Sequence, residues 1–207
     1  MSSRSVPPGF VDAWDFDGEP TLAGPVPTGF HETVVSRVVG HGADDHRVAG
    51  DAVLGWQVHR GSGFVPLQVP DRARVGVVSL WAIPFGPLRP RVACRVVRVL
   101  DDEPAAPGAA TGETAQAGEA PDAATGGGAG ALPRSTGFLH AALAGHPQRG
   151  WESYLATRHP DDRVTLDIRV VWRPGAWWMR LAGPLGGLAL HLLLHRNLRA
   201  LDPVLRR

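Results

Sequence analysis

The run VTLDIRVVW, residues 164–172, constrains the fold more than any other stretch of the chain. Val164, Leu166, Ile168, Val170 and Trp172 alternate with Thr165, Asp167, Arg169 and Val171. A period of two is the signature of a β-strand, with the apolar set facing a core and the other set facing out. Similar runs surround it. FHETVVSRVV (30–39), RVGVVSLWAI (74–83), PRVACRVVRVL (90–100), TGFLHAAL and WESYLATRH all read as strands, rich in β-branched and aromatic residues and bounded by Gly, Pro or Asp.

Helical signals are fewer. Asp44 or Asp45 can cap a helix whose stripe includes Val48, Ala52 and Leu54 to Trp56, although Gly50 weakens it. WQVHRGSGFVPLQV reads as strand, Gly-Ser-Gly turn, strand. Pro174 stops the sheet and is placed to start a helix over about 175–201, with Leu181, Leu185, Leu188 and Leu192 as one stripe. Pro184, inside it, kinks or splits it. Strand, helix, several antiparallel strands and a last helix make an α+β fold, a curved antiparallel sheet wrapped on a long C-terminal helix. Such a helix-grip arrangement, known from START-like and pollen-allergen-like proteins, leaves a cavity between sheet and helix.

The whole chain, 1–207, reads as one domain. Its 207 residues, 43% of them hydrophobic, suffice for one core. Residues 1–29 are Pro- and Gly-rich, an irregular segment laid on the body through Trp14 and Phe16. Residues 101–135 hold Ala, Gly, Pro, Thr and acids with almost no large apolar side chain, and are expected to be a disordered insert between two strands. A net charge of +1 gives no argument for nucleic acid or an anionic membrane as partner. The lone cysteine, Cys94, excludes an internal disulfide and reads as a small buried hydrophobe. LAGPLGGLALHLLL (181–194) is too short for a transmembrane segment. With no apolar leader at the N-terminus, a cytoplasmic location is expected.

Several pieces carry a family resemblance. They are PTGFHETVVSRVVGHG, AVLGWQVHRGSG, CRVVRVLDDE, GFLHAALAGHPQRGWESY and WRPGAWWMRLAGPLG. In this order they resemble an uncharacterised bacterial and plant family, a domain of unknown function also called uncharacterised protein family 0548. The resemblance implies a helix-grip layout with a cavity, and no activity comes with it. This chain departs from the family pattern at His140 to Leu143, where the pattern has Tyr-Gly-Thr-Leu. It departs again at Pro147 to Glu152, against Pro-Glu-x-Gly-Glu-Glu, and at Trp172, against the Ser of Ser-Arg-Pro.

Three functional readings follow. The first is a non-enzymatic domain holding a small apolar or amphipathic ligand between sheet and C-terminal helix, touched by Trp81, Trp172, Trp177, Leu181 and Leu185. The second is a cyclase- or hydrolase-type enzyme in which His146 acts as base, Glu152 orients it and Arg173 stabilises charge. The third is a protein-interaction module recognised through the helix or the 101–135 loop. His140, His146 and Glu152 are also ligand types for a metal, but nothing in their spacing makes them converge, and none is assigned. HRGSG carries neither a GKS/T nor a GxGxxG before a helix, so no nucleotide and no other cofactor is expected.

Overall fold

The computed structural model describes residues 5–84, 89–105, 132–182 and 184–205. Side chains at 181, 182, 184–186, 188 and 189 fall outside that description, and so does 106–131, the bulk of the expected insert.

Seven strands form one sheet: β1 (His31–His41), β2 (Val65–Gln68), β3 (Val78–Ala82), β4 (Arg91–Pro104), β5 (Arg134–Ala142), β6 (Gln148–Arg158) and β7 (Arg163–Pro174). Their order is β1-β7-β6-β5-β4-β3-β2, every neighbour antiparallel. β4 and β5 reach into the stretch expected to be disordered: 101–104 and 134–135 are paired strand, with Glu103 opposite Ser135. Edge strand β2 carries Pro66, whose missing N–H is tolerated at an edge.

The helices are α1 (Gly42–Leu54), α2 (Gln57–Gly61), α3 (Trp177–Ala182), α4 (Pro184–Arg199) and α5 (Asp202–Leu205). α1 packs across β5, β6, β7 and β1. Gly50, a poor helix former, is there for contact: a Cβ on it would stand 2.6 Å from Thr136 Cγ2 on β5. The Asp45 carboxylate accepts the N–H of His41, the residue before α1, at 2.8 Å. α2 stands where a strand was expected. Trp56 adopts a left-handed conformation (φ 65°) between α1 and α2, and the amides of Arg60 and Ser62 close helical turns onto Trp56 and Val58. Val58 and His59, adjacent in sequence, are both buried, which no half-exposed strand permits.

In place of the expected long C-terminal helix stand two described helices, α3 and α4, the second of 16 residues. Pro184 sits at the first position of α4, where a residue without an N–H costs little. The stripe is also rotated. Leu190, Leu194 and Leu198 face the core and Leu192 is 62% exposed. In so leucine-rich a run the pattern of apolar residues does not choose a face. α4 packs on β1, β7 and α2.

Both faces of the sheet are covered. On the inner face, β7 contributes Val164, Leu166, Ile168 and Val170 to a core shared with α1, α2 and α4. The alternate residues, expected outside, are buried too: Thr165, Asp167, Arg169 and Val171. Over Arg169 and Val171 the cover is the N-terminal segment. Phe16 and Leu22, with Val26 and Phe30, pack on Leu139, Trp151, Leu155 and Val171. Arg169 pins that segment. Its guanidinium pairs with Glu32 at 2.6 Å and donates to the carbonyls of Thr21 and Gly24. A buried guanidinium is tolerated because its donors are spent on a carboxylate and two backbone carbonyls.

Candidate functional site

The inner face is apolar except near its centre. The turn between β5 and β6 sets a register that places His140 opposite Glu152. Tyr154, two residues further along β6, falls on the same face. The Tyr154 hydroxyl donates to Glu152 Oε2 at 2.8 Å, and His140 Nε2 lies 3.4 Å from the same oxygen. α2 delivers His59, whose ring is 5.7 Å from His140 and 4.8 Å from Tyr154 and stacks on Trp81 at 5.3 Å. Phe138 and Phe64 complete the aromatic surround.

A recess of about 10 Å³, room for one water, opens beside this cluster. Cys94, His140, His146, Glu152, Val170 and Trp172 are among its walls. His146, on the β5–β6 turn, is half-buried, and its Nδ1 accepts the Gln148 N–H at 2.9 Å. Among the described residues no three His, Cys, Asp or Glu side chains converge as a metal set.

The electrostatics are uneven. Burial alone would raise the Glu152 pKa, but the hydrogen bond and charge of His140, the Tyr154 hydroxyl and His146 outweigh it and hold the carboxyl at about 2. Burial lowers His59 to about 3 and His146 to about 4. Burial also raises the Cys94 thiol and the Tyr154 phenol, each helped by the Glu152 charge. At neutral pH the Glu152 carboxylate therefore stands ionised beside the neutral imidazoles of His59 and His146, the Tyr154 phenol and the Cys94 thiol. Several buried donors and acceptors have no partner: His59 Nδ1, His140 Nδ1, and the indole nitrogens of Trp56, Trp81 and Trp172. Buried polar atoms are normally paired, and these find no partner among the protein's own described groups.

His59 makes the fold acid-sensitive. Its ordinary value of 6.5 falls to about 3 on folding, so between those limits the unfolded chain binds the extra proton. Stability is full above 6.5 and declines as pH falls toward 3. Glu152, lowered from 4.5 to about 2, adds a decline of the same sign in its own, lower window. Urea unfolding should lose about 2 kcal/mol between pH 6.5 and 5 through His59 alone, a shift of one pH unit being worth about 1.4 kcal/mol for one group, and His146, lowered to about 4, adds to the loss in the same window. His59→Phe should give a shallower profile. A wild-type profile flat over that interval would contradict the burial of His59.

The sequence-derived candidates scatter. Trp172 joins the recess and His146 and Glu152 share it. Trp81 is buried behind His59 as core rather than as a free cavity wall. Trp177 is 71% exposed, and the side chains of Leu181 and Leu185 fall outside the described residues. Arg173 does not belong with Glu152. It alternates with Trp172 and lies on the outer face, 4.7 Å over the Phe30 ring. Arg95, Arg98 and Arg169, arginines that could have anchored an anion, are spent on Asp12, Glu103 and Glu32. His59 and Tyr154 were missed. For Tyr154 the signal was its i, i+2 spacing from Glu152 on a strand.

A family model described as a domain of unknown function (DUF1990) matches residues 17–200. No curated protein matches. Among solved structures, the chain is similar to the hypothetical protein jhp0584 of Helicobacter pylori, at 12% identity over 92% of this chain and 99% of that one, with a TM-score of 0.52. Ara h 8.0201 aligns at 8% identity over 86% and 100% of the two chains, TM-score 0.45. An uncharacterised protein of Rhizobium leguminosarum aligns at 9% over 86% and 95%, TM-score 0.44.

Proposed function

We propose that this chain, which belongs to the DUF1990 family of domains of unknown function, binds a small amphipathic molecule on the inner face of its sheet. The donor-bearing head of the ligand, an ammonium or hydroxyl, seats on Glu152. Its apolar part lies along Trp172 toward the C-terminal helices, in a helix-grip layout. The observation that carries this reading is Glu152 itself. A carboxylate on an apolar face costs stability that a hydrophobic residue would not. Its two donors, Tyr154 and His140, reach one oxygen, Oε2, which leaves Oε1 for a guest. The unpartnered nitrogens of His140 and Trp172 stand beside the same recess. A recess sized for one water fits a head group, so the rest of the ligand must displace side chains to enter.

A second reading is acid–base catalysis, favoured by the presence of His140 and His146 on the walls that Glu152 shares. In it a neutral imidazole takes the proton and the Glu152 carboxylate steadies the imidazolium that forms. Arg173, on the other face, takes no part.

A thermal-shift comparison tests the binding reading. A medium-chain primary amine, alcohol and carboxylate of equal length are added to the full chain. The amine and the alcohol should raise Tm and the carboxylate should not, since Glu152 is already anionic. Equal shifts from all three would mean that the head group does not meet Glu152.

A further inference from the structure

We propose that His191 and His195, on the exposed side of α4, form a two-imidazole chelate for a late first-row divalent cation, Cu²⁺ or Ni²⁺. The two residues are one helical turn apart, so their side chains share a face. Both are exposed. Their Nε2 atoms are 2.9 Å apart and their rings 4.4 Å between centroids, inclined at 70°. In the metal-free chain one Nε2 donates a proton to the other; both ring nitrogens are thus already turned toward one point.

The separation sets the geometry. Metal–imidazole bonds of about 2.0–2.1 Å spanning a 2.9 Å gap enclose an angle of roughly 90° at the metal. That is the cis angle of a square-planar or octahedral ion, whereas a tetrahedral ion would want the nitrogens about 3.3 Å apart. Imidazole and right angles together favour Cu²⁺ and Ni²⁺ over Zn²⁺, and the general order of affinities ranks Cu²⁺ first. Water fills the remaining positions. α3 and α4 contain no carboxylate, and Arg196 and Arg199 stand in the last turn of α4. Their charge weakens cation binding, so a moderate, exchangeable affinity is expected.

The test is a calorimetric titration of the tag-free full chain with Cu²⁺, Ni²⁺ and Zn²⁺ salts in turn. A single Cu²⁺ should bind per chain, Ni²⁺ more weakly and Zn²⁺ more weakly still. His191→Ala and His195→Ala should each weaken Cu²⁺ binding by about tenfold or more, since either change halves the chelate. Near-ultraviolet circular dichroism should be unaltered in both variants, because neither side chain is packed. The proposal is overturned if Cu²⁺ does not bind, if the variants bind it as tightly as wild type, or if Zn²⁺ outcompetes Ni²⁺. The site lies on a different element from Glu152, so its failure leaves the ligand proposal untouched.

Discussion

Gly150→Ala should melt roughly 10 °C below wild type, the mark of a loss near 4 kcal/mol in a chain of this size. Gly150 holds φ at +133° in β6, a region that side chains rarely adopt, and a Cβ there would stand 1.9 Å from the carbonyl oxygen of Val171. Neither end of that contact can give: both are backbone in a central ladder, where β6 pairs with β7 and Gly150 lies opposite Trp172. The close approach also matters to the site. Gly150 begins the alternation that sends Trp151 to the outer face and Glu152 to the inner one, and it forms part of the recess wall. The variant should therefore lose both stability and the arrangement around Glu152. Gly187 in α4 is the control. Nothing lies within 4 Å of its added Cβ, so Gly187→Ala should be neutral or stabilise by up to about 1 kcal/mol, as Ala does in a helix interior. If Gly150→Ala melts with wild type, Gly150 does not lie opposite Trp172 and the β6–β7 register is wrong.

The sheet was legible in the sequence because β-strands announce themselves locally. Alternation from Val164 to Trp172 needs no distant partner to be read, and the prolines and glycines between runs mark the turns. What covers each face is a distant fact. Arg169 and Val171 look like a solvent face, yet the N-terminal segment covers them from more than a hundred residues upstream, through Thr21 and Gly24 on the one and Phe16 and Leu22 by the other. Nothing in the strand's own pattern could report that. α2 was misread for a related reason. Five residues are too few to fix a period, and the burial of His59 comes from β3, β5 and β6 rather than from its neighbours in sequence.

The site was legible in part. GHPQRGWESY drew notice for its polar residues, and His146 and Glu152 do meet at one recess. The grouping with Arg173 failed on parity. Counting from Trp172, which shares a face with Val170, already puts Arg173 on the other side. The pairing of His140 with Glu152 depends on where the β5–β6 turn begins and ends, and the loop AGHPQRG permits more than one register. A one-residue slip would have sent Glu152 outward. Leu192 was misplaced for another reason, since a helix leucine-rich on several sides leaves packing, not pattern, to choose Leu194 over Leu192.

Replacing Glu152 by Gln should separate function from stability. The amide keeps the size of the side chain and an oxygen for the Tyr154 hydroxyl, and it removes the charge that His140 faces. Folding lowers the Glu152 pKa, so its charge contributes stability at neutral pH, and Tm should fall by several degrees while the variant stays folded at room temperature. Ligand binding should suffer far more. A charge-assisted hydrogen bond is worth about 1.5–3 kcal/mol, which is roughly a ten- to hundredfold change in affinity. The decisive measurement is therefore the dissociation constant of a medium-chain primary amine for wild type and for Glu152→Gln, taken side by side by calorimetry. Wild type should bind saturably and the variant, still folded at the assay temperature, at least about tenfold more weakly. Equal affinities in the two proteins, or no binding to wild type, would contradict the claim that Glu152 is a ligand's seat.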